Sequence, residues 1–181
     1  IGTEVHNALQ QTFDGGYIMA GYTASFGAGN KDFYLVKTDS LGNFMWSKTY
    51  GGSYIDWAYS IQQTTDSGYI VAGYTSSTIL IKTDMNGDTL WTKNYNSTSV
   101  AYSVSQTSDG GYILTGATNG SIGLGDASLI KTDMNGNVSW AKAFGGGNAD
   151  AGHSVFQTND NGYIIAGIAS SFGNVNYDIY L

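Results

Sequence analysis

The chain repeats one pattern four times, and that periodicity limits its fold more than any other feature. The segments Gln11-Thr12-Phe13-Asp14-Gly15-Gly16-Tyr17, Gln63-Thr64-Thr65-Asp66-Ser67-Gly68-Tyr69, Gln106-Thr107-Ser108-Asp109-Gly110-Gly111-Tyr112 and Gln157-Thr158-Asn159-Asp160-Asn161-Gly162-Tyr163 align without a gap, their starts 52, 43 and 51 residues apart. A second block follows in three copies: Lys37-Thr38-Asp39 to Trp46, Lys82-Thr83-Asp84 to Trp91, and Lys131-Thr132-Asp133 to Trp140, with Lys and Trp nine apart each time. The fourth copy reaches only Asp178-Ile179-Tyr180-Leu181. Repeats of this length mark units that cannot bury their apolar faces alone and must stack to form a core.

Within a unit, short β-branched and aromatic runs alternate with Asp, Asn and Gly turns, and no helix signal appears. In the second copy the expected strands are Ala58 to Thr64, Tyr69 to Thr75, Thr78 to Thr83 and Thr89 to Tyr95. Asp-Gly-Gly and Asn-Gly supply the positive φ that tight hairpins demand. The expected fold is therefore an all-β propeller with blades of four antiparallel strands. It forms a single repeat domain over 1–181, with units 1–52, 53–95, 96–146 and an incomplete 147–181. Fifteen strands are expected where four whole blades need sixteen. A missing strand leaves an open edge, so further blades of the same chain or other copies of itself are expected as partners. Neither an initiator Met nor a signal peptide opens the sequence, which reads as a mature product or a part of something longer. Gly21, Gly73, Gly116 and Gly167 interrupt strand two at one register, the mark of a bulge or a close backbone approach.

The consensus Asp-Gly-Gly-Tyr-Ile-x-Ala-Gly, then Lys-Thr-Asp, Gly, Trp and Lys-x-Tyr-Gly-Gly, resembles the propeller-type repeats of secreted bacterial and archaeal surface proteins. Kelch repeats are similar in architecture only, since their order and spacing fit less well. The resemblance implies an extracellular or cell-surface location and tandem copies beside adhesion modules. It implies no agreed activity.

Composition narrows the partners. Fourteen acidic residues against seven lysines give a net charge of -7, which excludes the basic footprint that grips a phosphate backbone, so no nucleic acid is expected. There is no Cys and only two His, so neither disulfides nor thiolate chemistry arises, and no cofactor or metal is expected. Apolar runs are too short for a membrane-spanning helix, and no membrane insertion is expected.

Positions identical in every copy are explained by the fold, whereas features unique to one copy need another reason. By this criterion Lys37, Lys82 and Lys131 are structural, their stems along a sheet and their ammonium groups on carboxylates or carbonyls. Asp84-Met85-Asn86-Gly87-Asp88 and Asp133-Met134-Asn135-Gly136-Asn137 have the start of a calcium loop but no downstream Glu, and read as hairpin turns. Two acidic series, Glu4, Asp56 and Asp150 before strand one and Asp32, Asp126 and Asp178 before strand three, read as turn caps and solubilising charges. His6 and His153 read as strand residues, His153 standing where other copies have Asn7, Tyr59 and Tyr102.

The variable connections between strands two and three are better candidates for ligand binding. Their rings Phe26, Phe172 and Tyr177 suit a sugar or another protein, as do Tyr54 and Trp57 in the linker before the second unit, Trp57 having no aromatic counterpart in other copies. Asn96, Asn119 and Asn137 stand in Asn-x-Ser/Thr acceptor sequences for glycosylation, and Asp39-Ser40-Leu41 and Asp88-Thr89-Leu90 look like O-glycan acceptors of some secreted bacterial proteins. The function expected is a noncatalytic extracellular module for binding or assembly at a cell surface or in a secreted fibre. The alternatives are a carbohydrate-binding lectin and a glycan-processing enzyme using Asp residues near the propeller axis.

Overall fold

The computed structural model describes residues 2–96, 98–118, 125–171 and 178–180. Fifteen strands form four separate antiparallel sheets among them, each running in sequence order. The first blade is β1 (Glu4–Gln11), β2 (Tyr17–Thr23), β3 (Asp32–Thr38) and β4 (Phe44–Tyr50). The second is β5 (Trp57–Gln63), β6 (Tyr69–Tyr74), β7 (Thr78–Thr83) and β8 (Thr89–Tyr95). The third is β9 (Thr98–Gln106), β10 (Tyr112–Thr118), β11 (Ala127–Thr132) and β12 (Val138–Phe144). The fourth is β13 (Asp150–Gln157), β14 (Tyr163–Ala169) and β15 (Asp178–Tyr180). The strands expected for the second copy lie within one residue of these bounds.

First strands of successive blades adjoin one another, β1 with β5, β5 with β9 and β9 with β13, while β4, β8 and β12 lie mostly exposed. Each sheet therefore runs outward from an inner strand, as propeller blades do. Apolar cores lie between blades rather than within them. Ile18, Ala20, Phe33 and Leu35 of the first blade pack on Ile61, Tyr69, Val71, Ile79 and Ile81 of the second. Ile70, Ala72, Leu80 and Tyr95 then pack on Val104, Tyr112 and Leu114, and Ile113 and Leu129 on Val155.

The repeated landmarks supply these junctions. Trp46, Trp91 and Trp140 each set their ring edge against the strand-two Tyr of the next blade, Tyr69, Tyr112 and Tyr163, with centroids 6.0, 5.9 and 5.6 Å apart. Beyond the Trp, Tyr50 and Tyr95 donate their hydroxyls to the carbonyls of Gly87 and Gly136 at 2.5 and 2.8 Å, and burial pushes both phenols up. A glutamine at the end of β5, β9 and β13 reaches back one blade: Gln63 accepts from the Phe13 amide, Gln106 from Thr65 and Gln157 from Ser108.

Within each of the first three blades the conserved Lys closes the sheet. Lys37, Lys82 and Lys131 are buried and pair with the turn carboxylates Asp14, Asp66 and Asp109 at 2.9, 2.8 and 2.9 Å. Each also donates to the following Thr carbonyl, at 2.8, 2.8 and 2.7 Å. The Thr12 hydroxyl, then Lys37 and the Gly16 amide, pull the Asp14 carboxyl down to about 2. Since that value is depressed, its contribution to stability is complete above the ordinary carboxyl range and is lost as pH falls through about 2. The two partners differ in burial, and this gives an ordering. Asp66→Ala leaves the Lys82 ammonium buried with one carbonyl and should cost about 2 kcal/mol in urea unfolding. Lys82→Met returns Asp66 to water and should cost about half as much. The reverse order would show that the lysine stem, not its charge, closes the blade.

Candidate functional site

Every inner strand carries a bulge. Pairing of strand one with strand two skips Asn7, Tyr59, Tyr102 and His153, and the strand-two glycine follows at the same register each time. A Cβ on Gly73 would strike the Trp57 carbonyl and come within 3.0 Å of Ala58 Cα, so only glycine lets the bulged backbone approach. The four bulge residues form a row across the blades. Asn7 donates to the Ala58 carbonyl at 2.8 Å, the Tyr59 and Tyr102 rings meet edge-on at 5.2 Å, and His153 stacks on Tyr102 at 4.8 Å with 13° between planes. His153 is thus an exposed ring on a stack, and the bulge breaks the alternation of faces between it and Ser154.

This row leads into an open cleft of about 550 Å³ between the second and third blades, lined by Tyr54, Ile55, Trp57, Tyr59, Tyr74, Thr75, Ser76, Val100 and Tyr102. Trp57 is its hub, with Tyr22, Tyr59 and Tyr74 centroids at 6.1, 6.3 and 6.4 Å. The Trp57 indole N–H is buried and has no hydrogen-bond partner among the described residues. Lys31 holds its ammonium 4.4 Å from the Tyr22 ring centre and 5.2 Å from that of Trp57, which backs the indole with a cation. Burial raises the Tyr59 phenol above its ordinary value, with Tyr102, Tyr74 and Tyr22 adding to it.

The cleft sits where the sequence departs from its repeat. The connection from β6 to β7 is a tight turn, with the Thr75 amide donating to the Ser77 carbonyl at 3.0 Å, where the first blade carries 24–31. Its Ser76 holds a φ of 149°, a conformation costly for any residue but glycine. The shortest connection thus opens the cleft, beside the linker rings Tyr54 and Trp57 rather than the rings of the longer connections. Of the ring candidates, Tyr54 and Trp57 share the cleft, while Phe26 is exposed elsewhere and stacks on Tyr34 at 6.0 Å. Phe172, Tyr177 and Asn119 lie outside the described residues. Asn96 is exposed, and Asn137 is exposed with its amide on Asp133 and Lys93. Tyr59, Tyr74 and Tyr102 were missed as site residues because each looks like an ordinary strand residue.

The acids behave differently from solubilising charges. Asp32 and Asp56 are buried at the first blade junction, where a Cβ on Gly51 would run into both carboxylates, and Asp126 and Asp150 meet in the same way over Gly145. The two series therefore combine in pairs across blades. At the middle junction the sequence has Ser77 and Ser99 in their places. Asp32 accepts from the Gly29 amide and Asp56 from Gly52 at 3.1 and 2.9 Å, so each pins a loop. Burial, reinforced by Asp32, pushes the Asp56 carboxyl above its ordinary value against the pull of the Gly52 amide. Against burial, the Ser171 hydroxyl and the Ser171, Ser170 and Gly146 amides hold Asp150 below it. In the Asp-x-x-Gly turns, Asp39, Asp84 and Asp133 each accept two amides of their own turn at 2.8–2.9 Å, as hairpin turns require.

No family model and no curated protein matches the chain. Solved structures do. A protein of unknown function from Bacteroides caccae superposes with a TM-score of 0.59 at 10% identity over 89% of this chain and 52% of its own. A bifunctional GH43-CE protein of Bacteroides eggerthii superposes with a TM-score of 0.54 at 14% identity over 90% of this chain and 22% of its own. The chain thus spans about half of the first protein and about a fifth of the second. At these identities the likeness concerns fold alone, and together with the four open, sequentially ordered sheets it makes this chain an all-β array of β-propeller blades.

Proposed function

We propose that this chain is a noncatalytic extracellular propeller module that binds a saccharide in the aromatic cleft between its second and third blades. One observation carries the reading: Trp57, the Tyr54 ring and the short Ser76 turn, all unique to one copy, converge with the bulge tyrosines on a single cleft of about 550 Å³. A volume of this order suits one or two sugar units. Sugar rings offer apolar C–H faces for the Trp and Tyr rings that line the cleft. The resemblance to secreted surface proteins supports an extracellular setting.

The glycan-processing reading has one observation in its favour. Asp56, with its raised carboxyl, borders a second opening of about 480 Å³ that shares Tyr54, Thr75 and Ser76 with the cleft. Against it, Asp56 and Asp32 are 2% and 1% exposed and hold loop amides, leaving no face for a substrate.

A glycan array followed by calorimetric titration of the best saccharide should give saturable binding. Trp57→Ala should weaken it at least tenfold. Tyr54→Ala, at a ring too exposed to affect folding, should weaken it roughly threefold. An array without saturable binding would remove the reading, and release of reducing ends from a bound glycan would replace it with the enzyme.

A further inference from the structure

Given the saccharide reading of the cleft, on which this rests, we propose that the site continues past the Ser76 turn into the opening between the first and second blades. There Thr89, Thr92 and Asn94 bind further units, so that the preferred ligand is a linear, uncharged oligosaccharide held along its length.

Each outer strand turns three side chains to one face of its blade, and in the second blade that face looks toward the first. There they are Thr89, Thr92 and Asn94, paired with Thr83, Ile81 and Ile79. The first blade has Phe44, Ser47 and Thr49 at these positions, and the third has Val138, Ala141 and Ala143. Only the second blade therefore offers three hydrogen-bonding side chains, one of them a carboxamide that both donates and accepts. All three are exposed, and their side chains form no hydrogen bond among the described residues. Folding does not demand them, since the third blade builds the same strand with valine and alanine.

These side chains line the opening of about 480 Å³, beside Tyr50 and next to the buried Ile79 and Ile81. That opening and the aromatic cleft meet at Tyr54, Thr75 and Ser76, which line both. The first blade holds the backbone of this shared wall: Gly29 packs so closely that a Cβ would strike the Gly52 and Tyr54 carbonyls, and the Asp56 amide donates to the Lys31 carbonyl at 2.8 Å. Tyr54 is thereby presented, 77% exposed, on a fixed support, and a ring so placed needs little ordering to bind. Joined spaces of about 550 and 480 Å³ take roughly three or four sugar units on the scale that gives the cleft one or two. Charge narrows the class further. Among the described residues no Lys lines either opening, and the one carboxylate on their walls, Asp56, is buried and committed to the Gly52 amide at 2.9 Å. With no cation to receive a carboxylate or sulfate, and a net charge of -7, the groove favours uncharged units.

Calorimetric titration of the whole chain with linear gluco-, manno- and xylo-oligosaccharides of two to six units tests this. In the series that binds, affinity should rise at least tenfold from two units to four and then level off. Thr92→Ala combined with Asn94→Ala, which writes the third blade's residues into the second, should remove that rise, so that four units bind no better than two. Trp57→Ala should weaken every length. Oligogalacturonides of the same lengths, each unit carrying a carboxylate, should bind at least tenfold more weakly than the best neutral series. Affinity that stays flat from two units to six, or a rise that survives the double change, overturns the extension and leaves the cleft reading standing. Galacturonides bound as tightly as the neutral series overturn the preference for uncharged units. Absence of saturable binding in every series removes the cleft reading and the extension with it.

Discussion

Tyr112→Ala is expected to cost about 4 kcal/mol, and Tyr17→Ala, the same change in the first blade, only about 1 kcal/mol. The two tyrosines stand at one register of strand two, so local strand propensity cancels in the comparison. Tyr112 is 2% exposed between blades, with the Trp91 edge against it, and burial, helped by the Asp66 charge, raises its phenol to about 12. Removing it leaves a cavity whose lining belongs to two sheets, and neither sheet can collapse without moving its own inner strand. Tyr17 has solvent on the side where Tyr112 has an indole. Urea midpoints of the two variants measure the difference, and equal losses would mean that the tyrosine stabilises its own hairpin rather than the junction.

Gly73→Val is expected to cost about 3 kcal/mol or more, at the upper end of what overpacking does. Its Cβ would strike the Trp57 carbonyl and approach Phe33 Cζ of the first blade to 2.7 Å, and both are held by the junction. Backbone cannot swing aside as a flexible side chain can. The same change should also lower saccharide affinity, since relief requires moving Trp57 or the Tyr59 bulge. A folded Gly73→Val chain with unchanged urea midpoint would mean that the bulge is adaptable and that the glycine repeats for another reason.

Much of this fold was legible because repetition supplied its own control. Tyr69 with Trp46, and Lys82 with Asp66, recur in the same order unit after unit, and junctions built from identical parts must place them alike. The strand-two glycines were legible as a close approach, and their collision partners are the carbonyls opposite. They were legible equally as a bulge, but which residue of strand one it displaces was not, because one extra residue leaves no mark on a polar and aromatic run such as Ala58 to Thr64. Without that position, Tyr59, Tyr102 and His153 could not be seen as a row. The carboxylate pairs were hidden for a different reason: Asp32 and Asp56 belong to separate units, and only the turn of one blade against the next brings them together. Trp57 stood out by having no aromatic counterpart in other copies, and it and Tyr54 line the cleft.

Placing apolar cores between sheets has a consequence for how such a chain gains and loses material. A gene duplication that inserts one whole unit adds one complete junction and disturbs none, whereas loss of half a unit leaves two sheets uncovered. Selection can therefore alter the number of repeats in single steps while each surviving junction keeps its geometry. A cleft that depends on only two neighbours, such as the one around Trp57, can travel through that history intact.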